Sequence, residues 1–285
     1  MINNNFWRDK KVLITGHTGF KGAWLTLWMI NLGANVYGYS LEPENQKDLF
    51  NSFNQNLKNK FTNKFGNVLN KEYLFKYIQE IRPDFIFHLA AQPLVIESYK
   101  EPLKTWETNV IGTLNILEAV KNLTKKCGIV FVTTDKVYEN KEWDYGYREN
   151  DTLGGNDPYS ASKAASEIAI SSWRKSFCRD SGKQNTYIYI ASARAGNVIG
   201  GGDWSKYRLL PDCIRSLEKK AEIKLRNPQS TRPWQHVLEP LGGYILLAEK
   251  LMTGDPIYQN AFNFGPLIES NKSVLSFVDE VFKSW

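Results

Sequence analysis

The stretch Lys11-Val-Leu-Ile-Thr-Gly16-His-Thr-Gly19-Phe-Lys-Gly22 decides the fold of this chain. Its first five residues form a short β-prone run, and the glycines that follow have the spacing G-x-x-G-x-x-G. A helical pattern covers residues 23–32, and residues 35–39 are typical of a second strand. In a strand–turn–helix–strand unit, glycines let the backbone turn tightly and approach a pyrophosphate at the helix N-terminus. A glycine-rich loop that binds nothing is the alternative, but the position between a strand and a helix favours dinucleotide binding.

The rest of the chain continues the alternation of strands and helices. Continuous apolar runs at residues 84–91 and 128–132 are typical of parallel strands that are covered on both faces. Further elements are expected as helices at 104–121, 159–176, 240–252 and 274–285, and as strands at 187–194 and 223–225, with a polar loop containing a weak helix at 45–64. The pattern predicts an α/β fold with a Rossmann-type doubly wound parallel sheet. Because the regular alternation ends near residue 195, we expect a dinucleotide-binding domain with the catalytic residues at 1–194 and a smaller C-terminal α/β substrate domain at 195–285.

Composition narrows the partners and the compartment. The 285 residues carry a formal charge of +6, but the Lys and Arg residues are spread along the chain, so a small anionic ligand is expected rather than nucleic acid. Cysteines and histidines lie far apart, which argues against disulfides and a metal site; they are Cys127, Cys178, Cys213, His17, His88 and His236. The N-terminus lacks the pattern of a signal peptide, and no apolar run reaches the length of a membrane span. We therefore expect a soluble cytoplasmic protein that binds no membrane.

Polar groups suited to proton transfer follow the apolar run at 128–132. Thr134, Asp135 and Lys136 supply a hydroxyl, a carboxyl group and an amine at the carboxyl end of a predicted strand, where open α/β sheets bind ligands. Tyr159 and Lys163 then share one face of a predicted helix. A lysine ammonium beside a phenol favours the phenolate, so the tyrosine is expected to have a lowered pKa and to act as a base. Hydride transfer alone does not require an additional acid and amine.

A series of motifs carries a family resemblance in family order over nearly the whole chain. They are Thr15-Gly-His-Thr-Gly-Phe-Lys-Gly22, His88-Leu-Ala-Ala-Gln-Pro93, Thr108-Asn-Val-Ile-Gly-Thr113, Thr134-Asp-Lys136, Tyr147-Arg-Glu149, Tyr159-x-x-x-Lys163, Arg194-Ala-Gly-Asn-Val-Ile-Gly-Gly-Gly-Asp-Trp204 and Arg232-Pro-Trp-Gln-His-Val237. The sequence resembles the extended short-chain dehydrogenase/reductase family and, within it, the nucleotide-sugar 4,6-dehydratases. The last two motifs are the narrowest, and they point to the branch of the family that acts on CDP-glucose.

The resemblance implies a reaction cycle. Tyr159 takes the proton of the glucose 4-hydroxyl, Thr134 hydrogen-bonds the same oxygen, and hydride passes from C4 to NAD. Asp135, with a raised pKa, protonates the departing 6-hydroxyl after a base removes the C5 proton, and hydride then returns to C6. Lys136 occupies the position of the glutamate base of related dehydratases, as is expected for the CDP-glucose branch. Two roles for Lys136 stay open: a proton base, which is favoured and requires a lowered pKa, or a cation that stabilises the enolate.

The resemblance also implies two sets of binding residues. The cofactor, NAD rather than NADP, is expected to contact Gly16, Thr18, Gly19, Phe20, Gly22, Asn67, Val68, Leu89, Ala90, Ala91, Thr133, Tyr159 and Lys163. The nucleotide sugar is expected to contact Gln92, Asn197, Trp204, Arg208 and Arg232. The second strand ends in Tyr39-Ser-Leu41 without an acid for the adenosine ribose, so the residues themselves leave the choice between NAD and NADP open. Asn67 stands where the family usually has an aspartate.

Other readings stay open at this point. A dTDP-, GDP- or UDP-sugar dehydratase would use the same groups, and so would a 4-epimerase or reductase, although an epimerase needs no acid for a 6-hydroxyl. A non-catalytic dinucleotide sensor would need none of the catalytic side chains. The resemblance implies a homodimer or higher homo-oligomer built from the helices at 104–121 and 159–176. Similar proteins usually continue for several tens of residues beyond a point like Trp285, so the last part of the substrate domain is expected to be missing.

Overall fold

The computed structural model describes residues 2–178 and 187–285 of the chain. The strands are β1 Lys11–Thr15, β2 Asn35–Ser40, β3 Phe61–Phe65, β4 Phe85–His88, β5 Cys127–Val132, β6 Ile188–Ala195, β7 Val198–Ile199, β8 Thr231–Pro233, β9 Gln235–His236, β10 Ala261–Phe264 and β11 Asn271–Ser273. The helices are α1 Asn4–Trp7, α2 Phe20–Asn31, α3 Gln55–Lys58, α4 Lys71–Ile81, α5 Val95–Lys100, α6 Pro102–Trp106, α7 Gly112–Lys121, α8 Pro158–Phe177, α9 Leu209–Glu218, α10 Leu238–Leu251 and α11 Val274–Ser284.

A seven-stranded sheet in the order β10-β6-β5-β4-β1-β2-β3 forms the centre of the molecule, and every neighbouring pair in it is parallel. The strand order reverses at β1, which lies between β2 and β4. Loops leaving two neighbouring strands in opposite directions open a crevice at their carboxyl ends, where ligands bind in such sheets. The expected doubly wound α/β fold is confirmed.

Alternation of side chains along the strands produces two apolar cores. In β1, Val12 and Ile14 contact the core that contains α2 and α10, whereas Leu13 contacts the core that contains α4, α7 and α8. In β4, Phe85 and Phe87 face the first core, and Ile86 between them faces the second. Both faces of the sheet are therefore covered by helices, which is why the strand sequences are continuously apolar.

Three local predictions differ from the structure. Residues 61–65 form the edge strand β3, although residues 61–64 were expected in a loop; all but Phe61 are exposed, so the apolar signal of a buried strand is absent. Residues 223–225 form no strand. The expected helix at 104–121 consists of α6, a π-helical segment Glu107–Ile111 and α7. At the start of α7 the backbone passes close to its neighbour, since a Cβ on Gly112 would come within 2.8 Å of Val68 Cγ2.

The residues after 195 contribute both to the main sheet with its covering helices and to structure outside that sheet. Helix α10 packs on β5 and β6 and so covers the main sheet, and β10 extends that sheet by pairing with β6. The short pairs β7–β9 and β8–β11, together with α9 and α11, lie outside that sheet. Helix α10 also holds the N-terminal helix, because Trp7 Nε1 donates a hydrogen bond of 2.7 Å to Glu249 Oε1. The division at residues 194 and 195 stays a prediction about substrate binding. Among the described residues, no helix combines the length and apolar character needed to cross a membrane.

Candidate active site

The glycine turn after β1 has the geometry of an anion site. Gly16 adopts a left-handed backbone with φ +74, and a Cβ there would come within 2.7 Å of Ala90 N, so only glycine fits. A Cβ on Gly22 would overlap the Gly16 carbonyl oxygen. Gly19, in contrast, faces open space apart from Gly16 O at 3.4 Å, and it caps α2 without a side-chain hydrogen bond. The first N–H groups of α2 are therefore available to a phosphate, and the turn fits a dinucleotide.

The other predicted cofactor residues line the same end of the sheet. Thr18 Oγ1 is 2.8 Å from Ser40 Oγ and donates to Leu41 O at 2.9 Å, which ties the glycine turn to the end of β2. Ala90 N donates to Thr15 Oγ1 at 3.3 Å, so the backbone after β4 lies beside the turn. Asn67 uses its own amide oxygen to accept from Leu69 N at 2.9 Å. Phe20, Val68, Leu89 and Ala91 are buried or half-buried around this groove.

The structure brings the predicted catalytic side chains together where β5 ends. Thr134 Oγ1 donates to Asp135 Oδ1 at 3.0 Å and hydrogen-bonds the Tyr159 phenol, which α8 presents from the other side. Lys163 is buried, and its Nζ donates to Val132 O at 3.3 Å. Helix α8 begins with a capping box in which Asp157 accepts from Ser160 N, and this box fixes the turn that carries Tyr159. One hydroxyl, one carboxyl group and one phenol thus share a single cleft.

Burial sets the pKa values in this cleft. The pKa of Asp135 is raised, mainly because burial disfavours the carboxylate, and this agrees with the expected acid. The expected lowering of the Tyr159 pKa by Lys163 is wrong: burial raises that pKa to about 12, and the groups that oppose the rise are Thr134 and Arg208. Burial also lowers the pKa of Lys163 to about 8. The sequence showed that Tyr159 and Lys163 share a helix face, but it did not show how deeply the cleft is buried. Burial decides whether the pKa of the phenol rises or falls.

Lys136 lies at the rim of the cleft. Its side chain is exposed, whereas the Lys163 side chain is buried. Its backbone N donates to Thr134 Oγ1 at 3.3 Å, which holds the short turn Asp135–Val137 against the end of β5. The burial that a neutral lysine base requires is absent at this position, and both roles for Lys136 stay predictions.

The predicted substrate residues are divided between the cleft and its surroundings. Arg208 and Arg232 lie near enough to affect the catalytic groups: Arg208 lowers the pKa of Tyr159, and Arg232 lowers that of Asp135. Trp204 lies farther out, where Lys47 Nζ is 4.5 Å from its ring centroid. The Gln92 side chain is engaged by its own loop and by α6, because its Nε2 donates to Leu94 O at 3.1 Å and to Thr105 Oγ1 at 2.8 Å.

Hydrogen bonds with neighbouring residues hold the segments around the cleft in place. Asn197 O accepts from Gln235 N at 3.2 Å, which joins the loop after β6 to β9. Arg208 Nη1 donates to Asp203 Oδ2 at 2.9 Å. Thr133, a predicted cofactor residue, donates its hydroxyl to Glu167 Oε1 at 2.5 Å and so supports the cleft from behind.

Two side chains that sequence reasoning did not assign also reach the cleft. Lys21, in the glycine turn, interacts electrostatically with Asp135, and its Nζ lies 3.5 Å from Tyr244 Oη on α10. A lysine between Phe20 and Gly22 is an available sequence signal, since a cation there must lie near the phosphate-binding turn. Tyr244 gives no such signal, because an aromatic residue in a helix is usually a core residue. Among the described residues, no three His, Cys, Asp or Glu side chains are grouped as for a metal ion.

Comparisons with known proteins agree with this geometry. The sequence model described as GDP-mannose 4,6 dehydratase matches residues 13–263. A CDP-glucose 4,6-dehydratase from Salmonella typhimurium is 46% identical over 285 residues, which are 100% of this chain and 79% of that protein.

Solved structures give the same fold. The UDP-N-acetylglucosamine 4-epimerase of Methanobrevibacter ruminantium superposes with a TM-score of 0.78 at 23% identity, covering 97% of this chain and 82% of the epimerase. The dTDP-glucose 4,6-dehydratase of Bacillus anthracis, solved in complex with NAD, superposes with a TM-score of 0.74 at 21% identity, covering 96% of this chain and 80% of that one. The predicted resemblance to nucleotide-sugar 4,6-dehydratases is confirmed, and the chain belongs to the GDP-mannose 4,6 dehydratase family.

Proposed function

We propose that this protein is a CDP-glucose 4,6-dehydratase, which converts CDP-D-glucose to CDP-4-dehydro-6-deoxy-D-glucose and water with bound NAD. The observation that carries the proposal is the cleft itself, where Asp135, with a raised pKa, lies beside Thr134 and Tyr159 in a chain 46% identical to such an enzyme. A 4-epimerase would need the phenol but no acid for a departing hydroxyl. The acid at this position therefore favours water loss.

In the first half of the reaction, the phenol handles the proton of the sugar 4-hydroxyl. As the phenolate, Tyr159 accepts this proton and becomes the neutral phenol, while Thr134, already hydrogen-bonded to the Tyr159 oxygen, orients the sugar oxygen. Since burial disfavours the phenolate, the groups that stabilise it matter: the Thr134 hydroxyl and the Arg208 guanidinium both lower the Tyr159 pKa. A buried Lys163, one helical turn further on, supplies positive charge near the site.

In the second half, the 4-keto group makes the C5 proton acidic, and water is lost across C5 and C6. Asp135 is suited to protonate the departing 6-hydroxyl because burial raises its pKa, which favours the protonated carboxyl group. Lys136, at the rim, is the proposed C5 base; its ammonium would alternatively stabilise the enolate. Desolvation of Lys136 by a bound sugar would supply the burial that a base at this position needs.

The cofactor is proposed to bind at the glycine turn. Bound there, NAD supplies a hydride acceptor and donor at its nicotinamide ring. The open side of Gly19 and the uncapped start of α2 support pyrophosphate binding, and the dehydratase of similar fold that was solved with NAD supports NAD over NADP. The three cysteines, all free and buried, together with a nucleotide cofactor, favour a reducing cytoplasmic location.

A homodimer is proposed from the helices around α8. Leu103, Trp106, Ile111 and Ile168 are large apolar side chains on α6, the π-helical segment and α8, and all four are exposed. These elements pack against one another, and we take their exposed apolar side chains as one face. An apolar face of this kind is typical of a subunit interface. Sedimentation of the purified protein, compared with an Ile168→Glu variant, tests this proposal.

The substrate is tested by incubation of the protein with CDP-, dTDP-, GDP- and UDP-glucose in the presence of NAD. We expect the alkali-induced absorbance of a 4-keto-6-deoxy sugar from CDP-glucose and little from the others. Product from another nucleotide and none from CDP-glucose would overturn the assignment.

The role of the acid is tested with Asp135→Asn. The variant should still oxidise C4, while product formation falls by about 10²- to 10³-fold, because the amide cannot donate a proton to the leaving hydroxyl. The appearance of reduced nicotinamide measures the first step, and the 4-keto-6-deoxy product measures the second. Unchanged turnover would contradict the role of Asp135 and with it the dehydratase assignment.

A further inference from the structure

Residues 200–208, which we call the crossing loop, connect two helices that follow neighbouring strands of the sheet. Near the start of the loop, Gly201 O accepts a hydrogen bond of 2.9 Å from Trp24 Nε1 on α2. Near its end, Tyr207 Oη accepts a hydrogen bond of 3.4 Å from Lys100 Nζ on α5. Helix α2 follows the glycine turn after β1, and α5 follows β4, which pairs with β1. The crossing loop therefore lies beside the carboxyl ends of these two strands, where ligands bind in open α/β sheets.

Asp203 supplies the acidic side chain of the crossing loop. Its side chain is 5% exposed, its Oδ1 accepts from Ser205 N at 3.1 Å, and its Oδ2 accepts from Arg208 Nη1 at 2.9 Å. A carboxylate at this depth requires such partners, because burial without them is unfavourable. The same carboxylate therefore closes a turn of the loop and holds the guanidinium at the end of the loop.

The backbone between Asp203 and Arg208 is held independently of this ion pair. Arg215 on α9 donates from Nη1 to Trp204 O at 3.0 Å and from Nη2 to Ser205 O at 3.1 Å. These bonds fix the path of the loop, but they do not contact the Arg208 side chain. The direction of the guanidinium is therefore left to Asp203.

Arg208 keeps donors for a ligand while Asp203 holds it. Its side chain is 31% exposed, and the contact with Asp203 is made by Nη1. The guanidinium has several N–H donors in one rigid plane, so its other nitrogens can bind a second anion. A long side chain without a partner samples several rotamers, and ordering it on ligand binding costs free energy. A guanidinium that is already held avoids much of this cost.

We propose that Asp203 is a positioning residue, whose carboxylate holds the Arg208 guanidinium in the orientation that receives the diphosphate of the nucleotide sugar. The proposal rests on the proposed function, since it takes a nucleotide sugar as the ligand of Arg208. A carboxylate that competes with the diphosphate for Arg208 is the opposite arrangement. The two arrangements predict opposite changes in affinity when the carboxylate is replaced.

The test compares Asp203→Asn with the wild type. The asparagine side-chain oxygen can still accept from Ser205 N, whereas its amide group no longer provides an anion for the guanidinium. Calorimetric titration measures the affinities for CDP and for cytidine without turnover. We expect Asp203→Asn to bind CDP about tenfold more weakly and cytidine within about twofold, because CDP presents the diphosphate and cytidine does not. Unchanged or tighter binding of CDP would overturn the proposal.

A double-variant cycle shows whether Asp203 acts through Arg208. In Arg208→Met the guanidinium is absent, so the addition of Asp203→Asn should cause no further loss of CDP affinity. A full additional loss in the double variant would mean that Asp203 serves the loop alone, which overturns the proposal. With CDP-glucose, the KM of Asp203→Asn should rise by about tenfold, and kcat should change less than KM does.

Two controls keep the outcome interpretable. An unchanged affinity for NAD shows that the variant is folded, and Asp203→Ser, whose hydroxyl can also accept from Ser205 N, replaces Asp203→Asn if the latter does not fold. The wild-type turnover assay judges the proposed function separately. If the wild type converts another nucleotide sugar and not CDP-glucose, the proposed function fails, and the corresponding nucleoside and its diphosphate replace cytidine and CDP in the titration.

Discussion

Two groups of buried or half-buried charges lie near the carboxyl end of β5, and they differ in how their charges are partnered. In the first group, Glu167 accepts hydrogen bonds from Thr133 at 2.5 Å, Ser192 at 2.8 Å and Arg194 at 2.8 Å. Arg194 in turn donates to Tyr138 Oη at 2.8 Å and to a backbone carbonyl at 3.0 Å. The ion pair is almost completely buried, with 5% and 2% of the two side chains exposed. We call these residues the paired network.

In the second group, the cleft residues Lys21, Asp135 and Lys163 make longer hydrogen bonds than the residues of the paired network do. Lys163 has a carbonyl oxygen at 3.3 Å as its partner, Lys21 has a phenol at 3.5 Å, and Asp135 has the neighbouring hydroxyl at 3.0 Å. Burial lowers the pKa of both lysines to about 8. Charges with several short hydrogen bonds hold the fold, whereas charges left with weak partners keep the capacity to bind a ligand or move a proton.

The largest effect is expected from breaking the paired network. Arg194→Met leaves the Glu167 carboxylate buried without its cation, so the free energy of unfolding should fall by about 3–5 kcal/mol. Urea unfolding measures the loss. The double variant Arg194→Met, Glu167→Gln should lose less than the sum of the single variants, because no charge stays behind. A loss below about 1 kcal/mol in Arg194→Met would remove the distinction between the two groups.

A matched pair of tyrosines sharpens the comparison. Tyr159→Phe should lower kcat by about 10³-fold, since among the described residues no other phenol hydrogen-bonds Thr134, and it should leave the free energy of unfolding nearly unchanged. Tyr138→Phe, in the paired network, should do the reverse, with about 1 kcal/mol of lost stability and kcat within a few-fold. Steady-state kinetics and urea unfolding of both variants test this contrast. Similar losses of kcat and of stability in the two variants would contradict it.

The smallest effect is expected from removing a cleft charge. Because burial lowers the pKa of Lys163 from 10.5 to about 8, the folded protein is less stable when Lys163 is protonated. At pH 7 the lysine is charged in both states, so Lys163→Met should gain about 1–3 kcal/mol of stability while losing activity. The gain should shrink as the pH rises from about 8 towards 10.5, where the wild-type lysine becomes neutral in both states. Thermal unfolding of the wild type and the variant across this pH range measures the gain in stability. A gain that grows with pH would contradict the lowered pKa of Lys163.

The sequence predicted the parts of the molecule that depend on local patterns. The glycine turn, the buried parallel strands and the position of Thr134 and Asp135 at the end of β5 follow from periodicity and from residue types with few conformations. The polar edge strand β3 was missed because pairing with β2, rather than its own composition, makes it a strand. The direction of the Tyr159 pKa was missed because it depends on burial by elements that are distant in sequence. Lys21 and Tyr244 are 223 positions apart, and only the fold brings them together.

That distance in sequence has a consequence for how the protein is made. A nascent chain leaves the ribosome N-terminus first, and contacts between distant residues can form only when the later residue has emerged. The hydrogen bond of Trp7 forms only after Glu249 is synthesised, and that of Lys21 only after Tyr244 is synthesised. Strand β6 stays an unpaired sheet edge until Ala261–Phe264 has been synthesised. The glycine turn and β5 can therefore form on the ribosome before the cleft is finished. The cleft is complete only after α10 and β10 have emerged and added to the sheet.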